Sequence, residues 1–239
     1  MMQFEKEYEL RAADFDAYDR ILPASVLELL QDVAGIHANE LGIGFHALME
    51  KKTIWVLTKV RYRVVRQPRR YERVVVRTWP LRPGRVSFRR EYEMETPEGE
   101  VLLHGTSEWV IVHSEKRCVL PTSDVYPSDE YRTDTQWEGR LAKVNDAIDN
   151  EGGVTVQPVF TDLDINGHVN NAKYANYVVN ALPPAEGAAV QEFAIDYHRE
   201  VLLGKQLRIC CKEDGDTICA RGYNDEGELM FACRMTMEQ

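Results

Sequence analysis

The chain has 239 residues, of which 44% are hydrophobic, so it holds enough apolar material for one large domain or two small ones. Its formal net charge of −10 disfavours nucleic acid as a partner. The sequence contains no run of eighteen apolar residues, so no membrane-spanning helix is expected. Five cysteines without CxxC or Cys/His ligand spacing argue against a disulfide framework and a structural zinc site. The N-terminus is acidic and lacks a signal-peptide core, so a cytoplasmic location is expected.

The N-terminal half predicts a strand, a helix and four further strands. Alternation predicts a short strand over 4–10, and an apolar face at helical spacing predicts a helix over 23–41. Pro23 suits the first turn of this helix, and Gly42 suits its end. Four strand-like runs follow, divided by turns rich in proline and glycine: 54–65, 73–80, 86–95 and 101–112.

The C-terminal half repeats this order of elements. A polar stretch over 121–153 is interpreted as a linker, after which a strand over 154–160 and a helix over 172–182 are expected. Four more strand-like runs complete the pattern: 190–201, 206–212, 217–223 and 229–237. The repetition predicts an α+β fold with one unit over 1–120 and a second over 154–239.

A polar motif, Asp164-Ile165-Asn166-Gly167-His168, lies just before the second predicted helix. It places a carboxylate, an amide and an imidazole within five residues, which is a suitable set for activating water and polarising a carbonyl group. The simpler alternative is that Asp164 and Asn166 only shape a turn and cap the helix. The first unit has no counterpart of the motif. We therefore expect the second unit to perform the chemistry and the first to hold an apolar ligand.

The charge is concentrated in one window of the first unit. Residues 59–90 contain twelve basic residues and one acidic residue, Glu72, so the window carries +11 on an otherwise acidic chain. This pattern suggests one specific anionic partner. The alternative is that these side chains are only the solvated face of a sheet, where surface charges usually contribute little.

The string from Asp162 to Tyr174, Asp-Leu-Asp-Ile-Asn-Gly-His-Val-Asn-Asn-Ala-Lys-Tyr, resembles the signature of acyl-acyl carrier protein (acyl-ACP) thioesterases of plants and bacteria. The strand over 4–10, the helix start at Leu22-Pro23 and the strand residues 54–57 also fit that family. The resemblance implies two tandem hotdog units, each an antiparallel sheet wrapped around a central helix. It also implies hydrolysis of fatty acyl-ACP, which releases a free fatty acid.

The resemblance implies catalytic roles for four residues, which are Asp164, Asn166, His168 and Glu200. Glu200 ends Tyr197-His198-Arg199-Glu200, which resembles the family's Tyr-Arg-Arg-Glu strand. The plant pattern continues with cysteine, whereas this chain has Val201, so a water nucleophile is expected. Glu200, alone or with His168, would deprotonate that water. Asn166 would orient the water or the carbonyl, and backbone N–H groups of the 172–182 helix would hold the thioester oxygen.

The implied partner is acyl carrier protein, which is acidic and phosphopantetheinylated, with a fatty acyl group as substrate and no cofactor or metal. Four arginines are the candidate carrier-binding residues: Arg69, Arg70, Arg85 and Arg89. Coenzyme A is the alternative carrier, and a non-catalytic acyl-binding protein and a hotdog dehydratase are the alternative functions. The apolar face of the 23–41 helix, with Trp55 and Leu57, is a candidate acyl chamber. Both a monomer and a homodimer remain open.

Overall fold

The structure, a computed structural model, describes residues 2–124, 131–149 and 152–238. The chain divides into two compact units. The first contains Met1–Ala12 and Glu28–Leu141, and the second contains Ala13–Leu27 and Ala142–Gln239. Parts of the predicted linker, at 125–130 and 150–151, lie outside the described residues. Among the described residues, no helix combines the length and hydropathy needed to cross a bilayer.

The first unit contains an antiparallel sheet and two helices. Its strands are β1 (Phe4–Glu9), β2 (Thr53–Val64), β3 (Arg73–Pro80), β4 (Phe88–Glu95), β5 (Val101–His113) and β6 (Cys118–Val119). The sheet order is β1-β3-β4-β5-β2, and β6 pairs with β5. The helices are α1 (Pro23–Glu40), whose first five residues belong to the second unit, and α2 (Phe45–Glu50). The sequence pattern predicts five of these strands and α1, but neither α2 nor β6.

Helix α1 packs closely against the sheet of the first unit where β5 carries Gly105. A Cβ atom at Gly105 would lie 3.2 Å from Leu30 Cδ1 and 3.4 Å from Tyr92 Cβ. Leu30, Tyr92 and Val33 are all buried. A larger residue at position 105 would therefore press on the helix and on β4, which explains the need for glycine there.

Besides the first turn of α1, the described part of the second unit contains the helix α3 (Lys173–Ala181) and five strands. The strands are β7 (Val154–Val156), β8 (Ala189–Tyr197), β9 (Leu207–Asp214), β10 (Thr217–Tyr223) and β11 (Leu229–Glu238). They are antiparallel neighbours in the order β8-β11-β10-β9-β7. Each unit thus combines an antiparallel sheet with a helix, as predicted.

Two predicted strands of the second unit are too long. The strand expected over 154–160 ends at Val156, and Phe160–Asp162 form a 3-10 turn. Pro158 lies between them and has no backbone N–H to donate to a neighbouring strand. The strand expected over 190–201 ends at Tyr197, so Glu200 lies in the connection that follows β8.

Candidate active site

The Asp164–His168 motif forms a closed loop before α3. Asp164 Oδ1 accepts hydrogen bonds from the backbone N–H groups of Asn166 at 2.8 Å and of His168 at 3.4 Å. Asp164 Oδ2 accepts one from Asn166 Nδ2 at 3.3 Å. Gly167 has φ +78°, a left-handed conformation that glycine adopts without strain, and its N–H donates to the Asp164 carbonyl oxygen at 3.0 Å. The loop geometry therefore depends on the Asp164 carboxylate and on Gly167.

The same loop is paired with the connection after β8. His168 forms an antiparallel bridge with Leu202, and the Val169 N–H donates to the Val201 carbonyl oxygen at 2.9 Å. This pairing brings Glu200 beside the motif, although 32 positions separate it from His168 in the chain. His168 Nε2 and Glu200 Oε2 are 3.3 Å apart, and the two side chains are 26% and 35% exposed. Two of the predicted site residues thus form a partly solvated dyad.

Such a dyad can support general-base chemistry. The carboxylate can accept a proton from a water molecule, and the imidazole can hold the carboxylate in place or exchange the proton with it. Both side chains remain accessible, so a substrate and a water molecule can reach them. The observed separation is at the long end for a hydrogen bond, as is common in unliganded catalytic groups.

Asp164 and Asn166 lie in the loop beside the dyad. Among the described residues, the hydrogen-bond partners of the Asp164 carboxylate are two backbone N–H groups and the Asn166 amide. This agrees with the turn-shaping interpretation of Asp164 and gives it an indirect influence on His168. The alternative that Asp164 and Asn166 cap the helix is wrong. The N-cap of α3 is Ala172, and the Ala172 N–H donates to Asn170 Oδ1 at 2.9 Å.

A tyrosine cluster supports the site from the interior of the second unit. Tyr174 is 2% exposed, and its ring packs edge-on against Tyr197 and Phe231, with centroids 5.5 Å and 5.2 Å away. Burial raises the pKa of Tyr174 despite a hydrogen bond from the Val201 backbone, and the charges of Glu200 and Asp164 raise it further. Tyr197 donates its hydroxyl to the Asn171 carbonyl at 2.8 Å. Tyr174 ends the signature string, but its buried packing beside the site is not predictable from the local sequence, in which its only signal is a position on the first turn of the helix.

The candidate carrier-binding arginines differ in their surroundings. Arg69, Arg70 and Arg85 are exposed. Arg89 is only 16% exposed in its side chain and forms an ion pair with buried Glu91 at 3.1 Å. It also donates to the carbonyl oxygens of Gly139 at 2.8 Å and Trp137 at 2.9 Å. Arg89 therefore fastens the 137–139 segment to β4.

Other basic residues of the 59–90 window face carboxylates from neighbouring strands. Arg77 on β3 contacts Glu5 at 2.8 Å and Glu95 at 2.6 Å. Lys59 on β2 contacts Glu108 at 3.0 Å. These carboxylates lie outside the window in sequence but beside it in the sheet. The cationic character of the surface is therefore weaker than the count of +11 suggests.

The proposed apolar chamber residues of the first unit are packed together. Trp55 contacts Phe88 edge-on with centroids 4.9 Å apart and lies 6.3 Å from Trp109. Its Nε1 donates to the Ile43 carbonyl at 2.9 Å, and Leu57 is 7% exposed. A packed core would show the same contacts, so the acyl chamber stays a prediction.

No group of three His, Cys, Asp or Glu side chains that could hold a metal ion occurs within 2–124, 131–149 and 152–238. The four thiols of the second unit are also poorly suited to nucleophilic chemistry. Cys210, Cys219 and Cys233 are buried, and burial raises the pKa of Cys211 to about 11, helped by the neighbouring Cys210. A nucleophilic cysteine normally has a lowered pKa.

Comparison with known proteins identifies relatives along most of the chain. It is 29% identical over 215 residues to a chloroplastic palmitoyl-acyl carrier protein thioesterase of Gossypium hirsutum. The alignment covers 82% of this chain and 52% of the relative. It is 25% identical over 221 residues to the chloroplastic oleoyl-acyl carrier protein thioesterase 1 of Arabidopsis thaliana. That alignment covers 83% of this chain and 60% of the relative. The chain thus spans between about half and three-fifths of the length of these curated relatives.

Solved structures confirm the double hotdog fold. An acyl-ACP thioesterase from Bacteroides thetaiotaomicron superposes with a TM-score of 0.90 at 21% identity, covering 99% of this chain and 98% of the other. A 12:0-ACP thioesterase from Umbellularia californica superposes with a TM-score of 0.89 at 20% identity, covering 100% and 98%.

Two family models match the chain in succession. The model of the acyl-ACP thioesterase N-terminal domain matches residues 1–127, and that of the acyl-ACP thioesterase C-terminal domain matches residues 146–236. The first match alone covers more than half of the sequence, and the second contains the motif loop, Glu200 and α3. The chain therefore belongs to the acyl-ACP thioesterase family.

Proposed function

We propose that this protein hydrolyses the thioester bond of fatty acyl-ACP, releasing a free fatty acid and the carrier thiol. The observation that carries the proposal is the 3.3 Å approach of Glu200 Oε2 to Nε2 of His168, which lies on the loop that fits the family signature. Membership of the family supports the substrate class.

In the proposed mechanism, Glu200 removes a proton from a water molecule. His168 holds the Glu200 carboxylate in place or exchanges the proton with it. The hydroxide adds to the thioester carbon, and the carbonyl oxygen becomes an oxyanion. Collapse of this intermediate breaks the carbon–sulfur bond, and the sulfur leaves as a thiol after taking a proton back from the dyad. General-base assistance of this kind contributes a factor of about 10²–10⁴.

The oxyanion needs a hydrogen-bond donor near the dyad. The Ala172 and Lys173 N–H groups at the beginning of α3 already donate to Asn170, each at 2.9 Å. Asn166 is exposed, and its Nδ2 is oriented by Asp164. We therefore assign Asn166 to the carbonyl oxygen or the water, and Asp164 to holding Asn166 and the main chain of His168.

For the carrier, Arg69, Arg70 and Arg85 are the arginines that we propose to attract acyl carrier protein by charge. Reversing the charge of Arg69 and Arg70 together should lower kcat/KM for acyl-ACP at low salt and have little effect at high salt. Unchanged kcat/KM at low salt would refute steering by this pair. Arg89→Glu would be a poor substitute in this test, because Arg89 is bonded to Glu91 and to the 137–139 segment.

The experiment that tests the function is free-thiol release from acyl-ACP substrates of graded chain length. Each acyl group should also be presented on coenzyme A, which is the alternative carrier on the same fold. Faster release from acyl-ACP supports the proposal, whereas equal or faster release from acyl-CoA favours the alternative. If no thiol is released from either carrier, the thioesterase proposal fails and a non-catalytic acyl-binding function is favoured.

A further inference from the structure

Exposed apolar side chains are concentrated beside the dyad. Single exposed apolar residues are normal, whereas a cluster beside a functional site indicates a contact surface. Of the thirteen large hydrophobic side chains exposed in the described residues, four belong to two short segments of the second unit that pair with the motif loop, and a fifth belongs to the loop itself. They are Val159 at 55%, Phe160 at 78%, Ile165 at 76%, Leu202 at 46% and Leu203 at 51% exposure, and we call them the rim patch.

Backbone pairing ties both segments to the motif loop. The Asn170 N–H donates to the Asp162 carbonyl at 2.8 Å, and Leu163 forms a bridge with Val169. These contacts hold the Phe160–Asp162 turn next to the loop. On the other side, the bridge between His168 and Leu202 holds the second segment. The rim patch is therefore attached to the same backbone that positions the dyad.

The charges on these segments favour an acidic partner. Apart from Glu200 of the dyad, the exposed charged residues within 159–173 and 199–205 are Lys205 and Arg199, and Arg199 pairs with exposed Glu228 at 3.1 Å. Asp162 is partly buried and accepts a hydrogen bond from the Tyr177 hydroxyl at 2.8 Å. Asp164 is likewise partly buried and bonded within the loop. An acidic protein with an apolar contact face fits this combination.

We propose that the rim patch is the surface on which the body of acyl carrier protein rests while its thioester reaches the dyad. This inference rests on the proposed function. The reacting bond lies at the end of a flexible arm, so the carrier must dock close to His168 and Glu200. The rim patch is attached to the backbone that positions this dyad, and Lys205 is its basic neighbour. Apolar contacts of this kind mainly slow dissociation, whereas the arginines of the first unit would act on the association rate.

The test compares two substrates that carry the same acyl group, acyl-ACP and the acyl-N-acetylcysteamine thioester, which lacks the carrier protein. The variant is Phe160→Ser with Leu203→Ser, both of which lie outside the Asp164–His168 motif, and the matched control is Val65→Ser, an exposed apolar residue of the first unit at 58% exposure. We expect kcat/KM for acyl-ACP to fall about tenfold, mainly through KM, as is usual when central apolar contacts are truncated. The loss should persist at high salt, and kcat/KM for the small thioester should stay at the wild-type value.

Several outcomes would overturn the inference. Equal losses on both substrates would show that the patch acts on the catalytic loop or the acyl site and not on the carrier. No loss on acyl-ACP would mean that the carrier does not touch the patch. If sedimentation shows a wild-type dimer that the variant abolishes without loss of kcat/KM, the patch binds a second copy of the chain. If the wild type cleaves neither substrate, the proposed function itself fails.

Discussion

The strongest prediction concerns the charge of Glu200. Glu200→Gln keeps the size of the side chain and a hydrogen-bonding atom near His168 Nε2, which lies 3.3 Å from Glu200 Oε2. It removes the ability to accept a proton from water. If Glu200 is the general base, kcat should fall by about 10²–10⁴-fold, which corresponds to roughly 3–5 kcal/mol of transition-state stabilisation.

The same substitution should barely affect folding. The Glu200 side chain is 35% exposed, and an ion pair at that exposure contributes less than about 1 kcal/mol. Urea denaturation should therefore give nearly the same free energy of unfolding for the variant and the wild type. The large effect on rate and the small effect on stability distinguish a chemical role from a structural one.

The assay is thiol release under single-turnover conditions, so that product release does not mask the chemical step. A matched control is Glu228→Gln in the same unit, since Glu228 is 46% exposed and pairs with Arg199 at 3.1 Å. The control should keep wild-type kcat. A Glu200→Gln enzyme whose kcat lies within about threefold of the wild type would refute the general-base assignment, because even weak general-base catalysis exceeds that factor.

Three further predictions concern the loop, the pH dependence of stability and the thiols. Asp164→Ala should lower kcat while leaving the protein folded. Asp164→Asn should retain part of the activity, because its amide oxygen still accepts a hydrogen bond. Equal kcat for Asp164→Ala and the wild type would contradict the positioning role. The hydrogen bond from Arg234 lowers the pKa of Asp146 below 3.8, so its stabilisation is present above that pH and is lost as the pH falls through the lowered value. Asp146→Asn should therefore cost about 1 kcal/mol in urea denaturation at pH 7 and progressively less as the pH falls below the ordinary aspartate pKa, and a constant difference would be inconsistent with this pair. Alkylation of exposed Cys118 by iodoacetamide should leave thioesterase activity intact, and inactivation that follows its labelling in mass spectra would contradict a water nucleophile.

Much of the fold could be predicted because its strands alternate clearly and its turns contain proline and glycine. The strands β3 and β10 begin and end where the pattern places them. Helix α2 was missed because its six residues, Phe45–Glu50, are too few to show a helical period. The strand before Glu200 was extended too far because no proline or glycine follows Tyr197 until Gly204 to mark its end. After Tyr197 the backbone pairs instead with the motif loop.

The candidate site could be predicted only in part. The residue types of the motif indicate acid–base chemistry, but the approach of Glu200 to His168 depends on the long-range pairing of Val169 with Val201. No local pattern encodes that pairing. Only the family resemblance connected the two residues.

Charge counting along the chain has a similar limit. The basic window looks like an isolated cationic surface because its sequence contains one acid, Glu72. In the sheet, Arg77 lies beside Glu5 and Glu95, which come from two other strands. Cross-strand neighbours cannot be read from local sequence, so the window overstated the free positive charge.

Position 201 and the state of the second unit's thiols support the proposal that water is the nucleophile. The residue after Glu200 is Val201, which is 3% exposed and whose carbonyl pairs with the Val169 N–H. It supplies no attacking group. With a pKa of about 11, Cys211 would be a thiolate in roughly one molecule in ten thousand at pH 7. The partly exposed carboxylate of Glu200, by contrast, is open to water and held beside an imidazole. The dyad can therefore activate a water molecule as it stands. Attack by sulfur would instead require a thiol at position 201, which valine occupies.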